Sequence, residues 1–399
     1  MSRPSHGHYD PRFEAVVDAF DKSLDAGPFG GASLAVYRDG ELVIDVWGGI
    51  ADVTTGRPWG RDTMTLAYSC TKSVATIVVL HLVEQGRIDL DATVATYWPE
   101  FGANGKHDVT VRQVLAHRAG VPAVDAALTF DDVLDGDPLL RALEDQKPLW
   151  QPGAGHGYHA ITLGTILDEI VRRATGSTIG ATLRRDLGEP LGLDLWIGLP
   201  QAEHSRVATA LPADPRDVPE QLREQLAVML TDDTAIRAVT LNGAVPIPLV
   251  GVSMQSTWND QRLWAAELPA ATGIGTARGF AKLHAALVSE VDDSDGTPRG
   301  PLLRPGTLQD ARRTLSSGPQ TIGPSLPAPH TVWGTGFMTA SQAHPLLGTS
   351  GFGHDGAAGG LCFADADARV GFAYLPSQFG SPPDSRSSDI VVALAESLG

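Results

Sequence analysis

Apolar residues recur at helical spacing along much of the chain. Phe13 to Asp25 places Val16, Val17, Phe20 and Leu24 on one stripe, which predicts an amphipathic helix closed by Gly27, Gly30 and Gly31. Ser69 to Gln85 is apolar on nearly every side and predicts a long buried helix ended by Gly86. Val111 to His117, Ile161 to Thr175, Thr276 to Ser289 and Ser388 to Leu398 read as further helices. Two β-prone runs, Ser33 to Tyr37 and Leu42 to Val46, flank Arg38-Asp39-Gly40-Glu41, where Asp-Gly suits the positive φ angles of a tight hairpin turn. A second pair, Leu361 to Ala364 and Arg369 to Leu375, flanks Asp365-Ala366-Asp367. From about Asp91 to Pro200 the pattern is helices and loops, and residues 201–265 are mixed and assign no element. Asp292 to Gly306 and Ser316 to His330, rich in Pro, Gly and Ser, read as surface loops.

Strands near both ends with helices between them predict an α/β (α+β) fold. One antiparallel sheet is built from both chain ends and flanked by helices, with a mainly helical domain inserted. The division expected is a sheet domain from 1–92 and 265–399 and a helical domain over 93–264, in keeping with a 399-residue chain. No internal repeat or low-complexity segment interrupts the pattern.

Composition narrows the function. Hydrophobic residues make up 42% and charged ones 19%, ordinary for a globular protein. The longest apolar run, Val74 to Val83, contains His81 and is about half the 18 to 20 residues a membrane span needs. With 47 acidic against 30 basic residues the net charge is −17, which argues against nucleic acid or an anionic membrane as partner. The first residues carry no apolar leader, so the expected location is the cytoplasm. Cys70 and Cys362 cannot make a disulfide framework; one bridge would need close Cα atoms, and reduced thiols are expected.

Lysine is scarce (Lys22, Lys72, Lys106, Lys147 and Lys282), and one of them completes Ser69-Cys70-Thr71-Lys72 at the start of the most apolar helix. At i and i+3 the two side chains share a helical face, so the amine reaches the hydroxyl. A serine needs a neighbour to take its proton. A lysine can do that only when neutral, which requires burial or nearby positive charge. The helix N-terminus adds a field favourable to an oxyanion. Tyr158, between a Gly-rich loop and the helix from Ile161, either projects a phenol into a cleft or packs in the core. Gly351-Phe-Gly-His-Asp-Gly356, followed by Ala357-Ala-Gly-Gly360, puts many glycines before a strand and suggests backbone lying close to a ligand.

Ser69-x-x-Lys72, Tyr158 and His354-Asp355-Gly356, in that order, resemble the serine β-lactamase superfamily, most closely its class C branch and the family VIII carboxylesterases. Val111 to Gly120, Trp150 to Gly153, Gly155 to His159 and Pro190 to Leu193 extend the resemblance, which runs from about residue 13 to the C-terminus. It implies a β-lactamase/penicillin-binding-protein-like fold and an acyl-enzyme on Ser69, with Lys72 and Tyr158 sharing the proton and Tyr158 activating water. It further implies an oxyanion hole from the backbone amides of Ser69 and Ala357 and no metal or organic cofactor. Substrate contacts are expected from His354, Asp355, Gly356, His159 and Trp333, the stretch from Trp333 to Phe337 reading equally well as a plain strand and turn. Two departures matter. Ala160 stands where the β-lactamases have the asparagine of Tyr-x-Asn, and His354-Asp355-Gly356 replaces Lys-Thr-Gly. Both weaken recognition of penicillin-like substrates. The activity expected is a serine carboxylesterase acting on small to medium, uncharged esters. The alternatives are an acyltransferase or amidase, a β-lactamase or D,D-peptidase, and a non-catalytic scaffold. Oligomeric state is not legible here.

Other motifs lead nowhere. Gly351 to Gly356 satisfies G-x-G-x-x-G but is followed by a turn and a strand, not the helix a dinucleotide site needs. No G-x-S-x-G elbow occurs. His6 with His8, read as a solvated tail, and His156 with His159, read as cleft walls, lack the partners of a zinc site. Cys70, one position past Ser69, points away from the serine–lysine face and reads as buried filler.

Overall fold

In the computed structural model, which describes residues 4–27, 29–213, 233–246, 257–323, 328–381 and 384–399, sheet and helices segregate as the sequence pattern requires. Strands β1 (His6–Tyr9), β2 (Gly31–Arg38), β3 (Glu41–Asp52) and β4 (Arg57–Pro58) come from the start of the chain. The short β5 (Thr65–Leu66), β6 (Leu195–Ile197) and β7 (Gly273–Gly275) form a separate sheet in the order β5-β7-β6. β8 (Val291–Asp292) and β9 (Pro298–Arg299) make a small hairpin within the stretch read as a loop. Strands β10 (Met338–Thr339), β11 (Gly351–Asp355), β12 (Leu361–Asp365) and β13 (Val370–Pro376) complete an eight-stranded antiparallel sheet. Its order is β1-β3-β2-β13-β12-β11-β10, with β4 paired to β3, so the two ends of the chain meet where β2 joins β13.

The β2–β3 turn places Asp39 at φ 52 and Gly40 at φ 87, the two positive angles of a tight hairpin. Helix α1 (Glu14–Ala26) and the C-terminal helix Arg386–Leu398 cover one face of the sheet, burying Phe20, Leu24, Ile390 and Leu394 against Leu34, Phe363 and Phe372. The helix Ala277–Ala285 lies on the opposite face. It approaches so closely that a Cβ on Gly371 would stand 2.4 Å from Ala281 O and Ala285 N, which requires glycine there.

Helix α2 (Thr71–Glu84) is the centre of the molecule, with every side chain from Thr71 to Leu80 buried. An all-round apolar helix has to be internal. Each fully buried Val, Leu or Ile on it contributes about 1.5–3 kcal/mol of transfer free energy. Around it pack α3 (Val94–Tyr97), α4 (Val111–Leu115), α5 (Phe130–Asp135), α6 (Asp137–Asp145) and α7 (Thr162–Thr175). Among the described residues no helix is long and apolar enough to cross a membrane.

Two sequence expectations change. His6 and His8 are solvated, as expected, but do not form a tail: they lie exposed on β1, paired with Trp47 and Asp45 of β3. The glycine-rich Gly351–Asp355 is itself a strand, running into a turn at Gly356–Gly360. Much of the mixed segment 201–265, and residues 324–327 of the second expected loop, lie outside the described residues.

Candidate active site

The chain enters the site through a turn of 3-10 helix, Tyr68–Cys70, that runs directly into α2. Tyr68 has φ 49, a left-handed conformation that costs a non-glycine residue about 1–2 kcal/mol. Its ring is held between Trp258 (centroids 5.3 Å apart) and Phe379 (5.0 Å), so aromatic packing offsets that strain. The turn leaves Ser69 partly exposed between buried neighbours. Ala67 N–H donates to Gly273 O of β7 at 2.8 Å, and Gly273 N–H to Thr71 Oγ1 at 2.8 Å, which fixes the turn to the small sheet.

Lys72 is 1% exposed. Its Nζ lies 3.2 Å from Ser69 Oγ, 2.7 Å from Ala160 O and 2.9 Å from Ala270 O. Burial pushes the amine down to about 7, with the charge of Asp355 opposing. A neutral amine has two N–H groups for the two carbonyls and a lone pair for the Ser69 proton. Tyr158 O–H donates to Ser69 Oγ at 2.8 Å. Burial raises this phenol well above its ordinary value, so it stays protonated. Lys72 Nζ also sits 4.8 Å from the centre of the Tyr158 ring. Serine, lysine and tyrosine thus converge on one oxygen.

β11 closes the other side. A Cβ on Gly356 would meet Ala67 O at 2.6 Å and Cys70 Sγ at 3.2 Å, so only glycine lets the strand end dock against the serine turn. Ala357 follows, exposed, and among the described residues neither its N–H nor that of Ser69 donates to a protein acceptor. Asp355 is half-exposed, its side chain 46% accessible, with Oδ2 3.1 Å from His344 Nε2 and Oδ1 3.4 Å from His354 Nδ1. Partial burial pushes this carboxyl up, but the hydrogen bonds from His344 and His354 outweigh it and hold it well below the usual carboxylate range. His354 is buried, its ring 6.1 Å from Tyr158 and 5.5 Å from Trp333, and burial lowers its pKa.

His159 and Trp333 occupy other places than expected. His159 is 0% exposed: Nδ1–H meets Gly157 O at 2.6 Å and Nε2 accepts from Val121 N–H at 3.1 Å, so both nitrogens are engaged by backbone. Trp333, 2% exposed, stacks on Tyr158 at 5.7 Å and backs the phenol rather than facing a ligand. His156 is likewise buried. Cys70 is the buried filler expected, its thiol donating to His354 O at 3.3 Å. Cys362 is also free and buried; burial and its Cys70 neighbour keep its thiol protonated. Among the described residues no cluster of His, Cys, Asp and Glu could hold a metal ion. The carbonyls of Ala160 and Ala270 and the side chains of His117 and Gln320 complete the surroundings. Backbone carbonyls carry no sequence signal, and His117 was visible only as part of a longer matching stretch.

A Ser-x-x-Lys helix start beside the end of strand β11, with a tyrosine on the serine, defines the class of active-site serine hydrolases. The family model described as Beta-lactamase matches residues 14–397, and the chain belongs to the β-lactamase family. It is 33% identical over 381 residues to the esterase/beta-lactamase LipL of Mycobacterium tuberculosis (strain ATCC 25618 / H37Rv), covering 94% of this chain and 83% of LipL. Among solved structures it is similar to a family VIII carboxylesterase (TM-score 0.84, 32% identity, 98% and 99% of the two chains covered). It is also similar to a penicillin-binding protein homologue from Caulobacter crescentus (TM-score 0.80, 33% identity, 98% and 99% covered).

Proposed function

We propose that this protein is a serine carboxylesterase that cleaves small to medium, uncharged esters through an acyl-enzyme on Ser69. The observation that carries it is the pair of hydrogen bonds at Ser69 Oγ, one shared with Lys72, whose pKa is depressed to about 7, and one donated by a protonated tyrosine. Ser69 gives its proton to neutral Lys72 as Oγ attacks the ester carbonyl. The N–H groups of Ser69 and Ala357 take the developing oxyanion, at about 3 kcal/mol per donor. Collapse breaks the ester bond, and the Lys72–Tyr158 pair delivers the proton to the departing alcohol. In deacylation, water attacks the acyl carbon and passes a proton to the Tyr158 oxygen while Tyr158 gives its own proton to Ser69 Oγ. The cycle restores both hydroxyls and needs no free phenolate, in keeping with the raised pKa of Tyr158.

Ester rather than β-lactam chemistry follows from two positions. Ala160 offers no side-chain amide, its carbonyl being taken by Lys72. Asp355 adds a negative charge where the family's lactam-cleaving members place a lysine-threonine pair. LipL carries both activities in its name, so slow cephalosporin turnover is the secondary activity to look for. We infer, too, that the cleft lies between a sheet domain (1–92 and 265–399) and an inserted helical domain (93–264). Lys72 reaches carbonyls on both, at Ala270 and Ala160. The test is p-nitrophenyl butyrate hydrolysis by wild type and Ser69→Ala at matched folding by circular dichroism. The substitution should reduce turnover to background; an active Ser69→Ala protein would overturn the mechanism.

A further inference from the structure

We propose that His117 is the positioning residue for Tyr158, holding the tyrosine by the backbone on both sides. The inference rests on the reading of Tyr158 as a proton-transfer group. His117 follows α4 and has φ 60, a left-handed conformation that few non-glycine residues adopt, asparagine, aspartate and histidine most often among them. That conformation turns its carbonyl and its ring toward the same loop. Its C=O accepts from Gly157 N–H at 3.0 Å, and its ring Nδ1 accepts from His159 N–H at 3.1 Å. Gly157 and His159 are the residues immediately before and after Tyr158. The intervening Tyr158 N–H donates to Gln320 Oε1 at 2.7 Å, so three successive amides are all held and His117 holds the outer two.

The ring also serves as packing. It lies 5.1 Å from the Tyr158 ring and 4.3 Å, edge-on, from Trp333, which itself stacks on Tyr158. For Nδ1 to accept, it must carry no proton. Burial drives this imidazole well below its ordinary pKa and keeps the lone pair available. His159 braces the loop from the other side through Val121 N–H and Gly157 O. The phenol therefore reaches Ser69 on a loop with little freedom, and a displacement of about 1 Å at a proton-transfer group is enough to cost about 100-fold in rate.

Four variants test this: His117→Asn, His117→Leu, Tyr158→Phe and the His117→Leu/Tyr158→Phe double. Asn tolerates the left-handed conformation and offers Oδ1 close to where Nδ1 stood; Leu offers no acceptor. Hydrolysis of p-nitrophenyl acetate should show kcat reduced about 30- to 100-fold in His117→Leu, with KM changed less than about 3-fold. His117→Asn should keep kcat within about 5-fold of wild type. In the Tyr158→Phe background, His117→Leu should add less than about 2-fold, because what it positions is gone. An equal loss in both backgrounds, or a His117→Asn protein as slow as His117→Leu, would overturn the proposal and leave His117 a core residue. Should His117→Leu fail to fold, His117→Gln, whose acceptor sits one bond too far out, replaces it with the same expectation. A fully active Tyr158→Phe protein would instead sink the underlying assignment of Tyr158.

Discussion

The Cys70 thiol donates to the carbonyl of His354 at 3.3 Å, although 284 residues separate them. This contact, with Gly356 pressed on Ala67 O, joins the start of α2 to the end of β11. The two N–H groups proposed for the oxyanion flank this junction, Ser69 in the 3-10 turn that leads into α2 and Ala357 in the turn that follows β11, so their spacing depends on it.

Gly356→Ala should therefore damage catalysis more than folding. A methyl group 2.6 Å from a backbone oxygen forces the strand end away. Overpacking of this kind costs about 1–3 kcal/mol of stability. Displacing the Ala357 N–H should lower kcat by about 10- to 100-fold. Thermal melts and steady-state kinetics on the same preparation check it; a large loss of Tm with unchanged kcat would refute the proposed coupling.

The pH profile should report Lys72. Its neutral form is the proton acceptor and its pKa lies at about 7, so kcat/KM should fall about tenfold per pH unit below that value and level off above it. His159, lowered to about 4 by burial, remains neutral through this window and does not produce the same limb. Lys72→Arg keeps a cation that never deprotonates and should be inactive at every pH from 6 to 9. A profile flat from pH 5.5 to 8.5 would exclude lysine as the base.

The local patterns carried much of this protein. β-prone runs, helical stripes and an Asp-Gly turn located the hairpin, α1, α2, α7 and the C-terminal strands, because each buries its apolar residues within a few residues of sequence. Ser69 and Lys72 were legible because i and i+3 fix their meeting on one helix. Strand β1 was not, since His6-Gly-His-Tyr9 joins the sheet edge through backbone hydrogen bonds and buries almost nothing. Strands β5 to β7 are too short to show a period. His159 and Trp333 were placed against substrate because residue type is visible and side-chain direction is not. The direction of each follows from partners such as Val121 and Tyr158, distant in sequence or reached only through a turn.

Asp355 should act as a charge filter. It is ionised and half-exposed beside the site, and its charge is felt by both Lys72 and Tyr158. A substrate carboxylate nearby meets repulsion of about 1–2 kcal/mol at an effective dielectric near 20 and separations of about 8–16 Å. Asp355→Asn should raise kcat/KM for mono-p-nitrophenyl glutarate relative to p-nitrophenyl butyrate by about 5- to 10-fold, the gain shrinking in 0.5 M salt. An unchanged ratio would show that Asp355 does not face the acyl group.

Asp168 offers a prediction about stability that is independent of the active site. Burial, with Glu267 and Glu169 adding repulsion, raises its carboxyl to about 7, while its Oδ1 accepts from Ile179 N–H at 2.6 Å. A carboxyl raised on folding binds its proton more tightly in the native state. It imposes no penalty below the unfolded value of about 4, and its cost grows as pH rises from there toward 7. Asp168→Asn retains an oxygen for the Ile179 amide and removes the charge. It should raise Tm at pH 8, corresponding to on the order of 2 kcal/mol, and change little at pH 4. Thermal melts of both proteins at the two pH values decide it. A stabilisation of equal size at both would mean that packing, not ionisation, is what the substitution relieves.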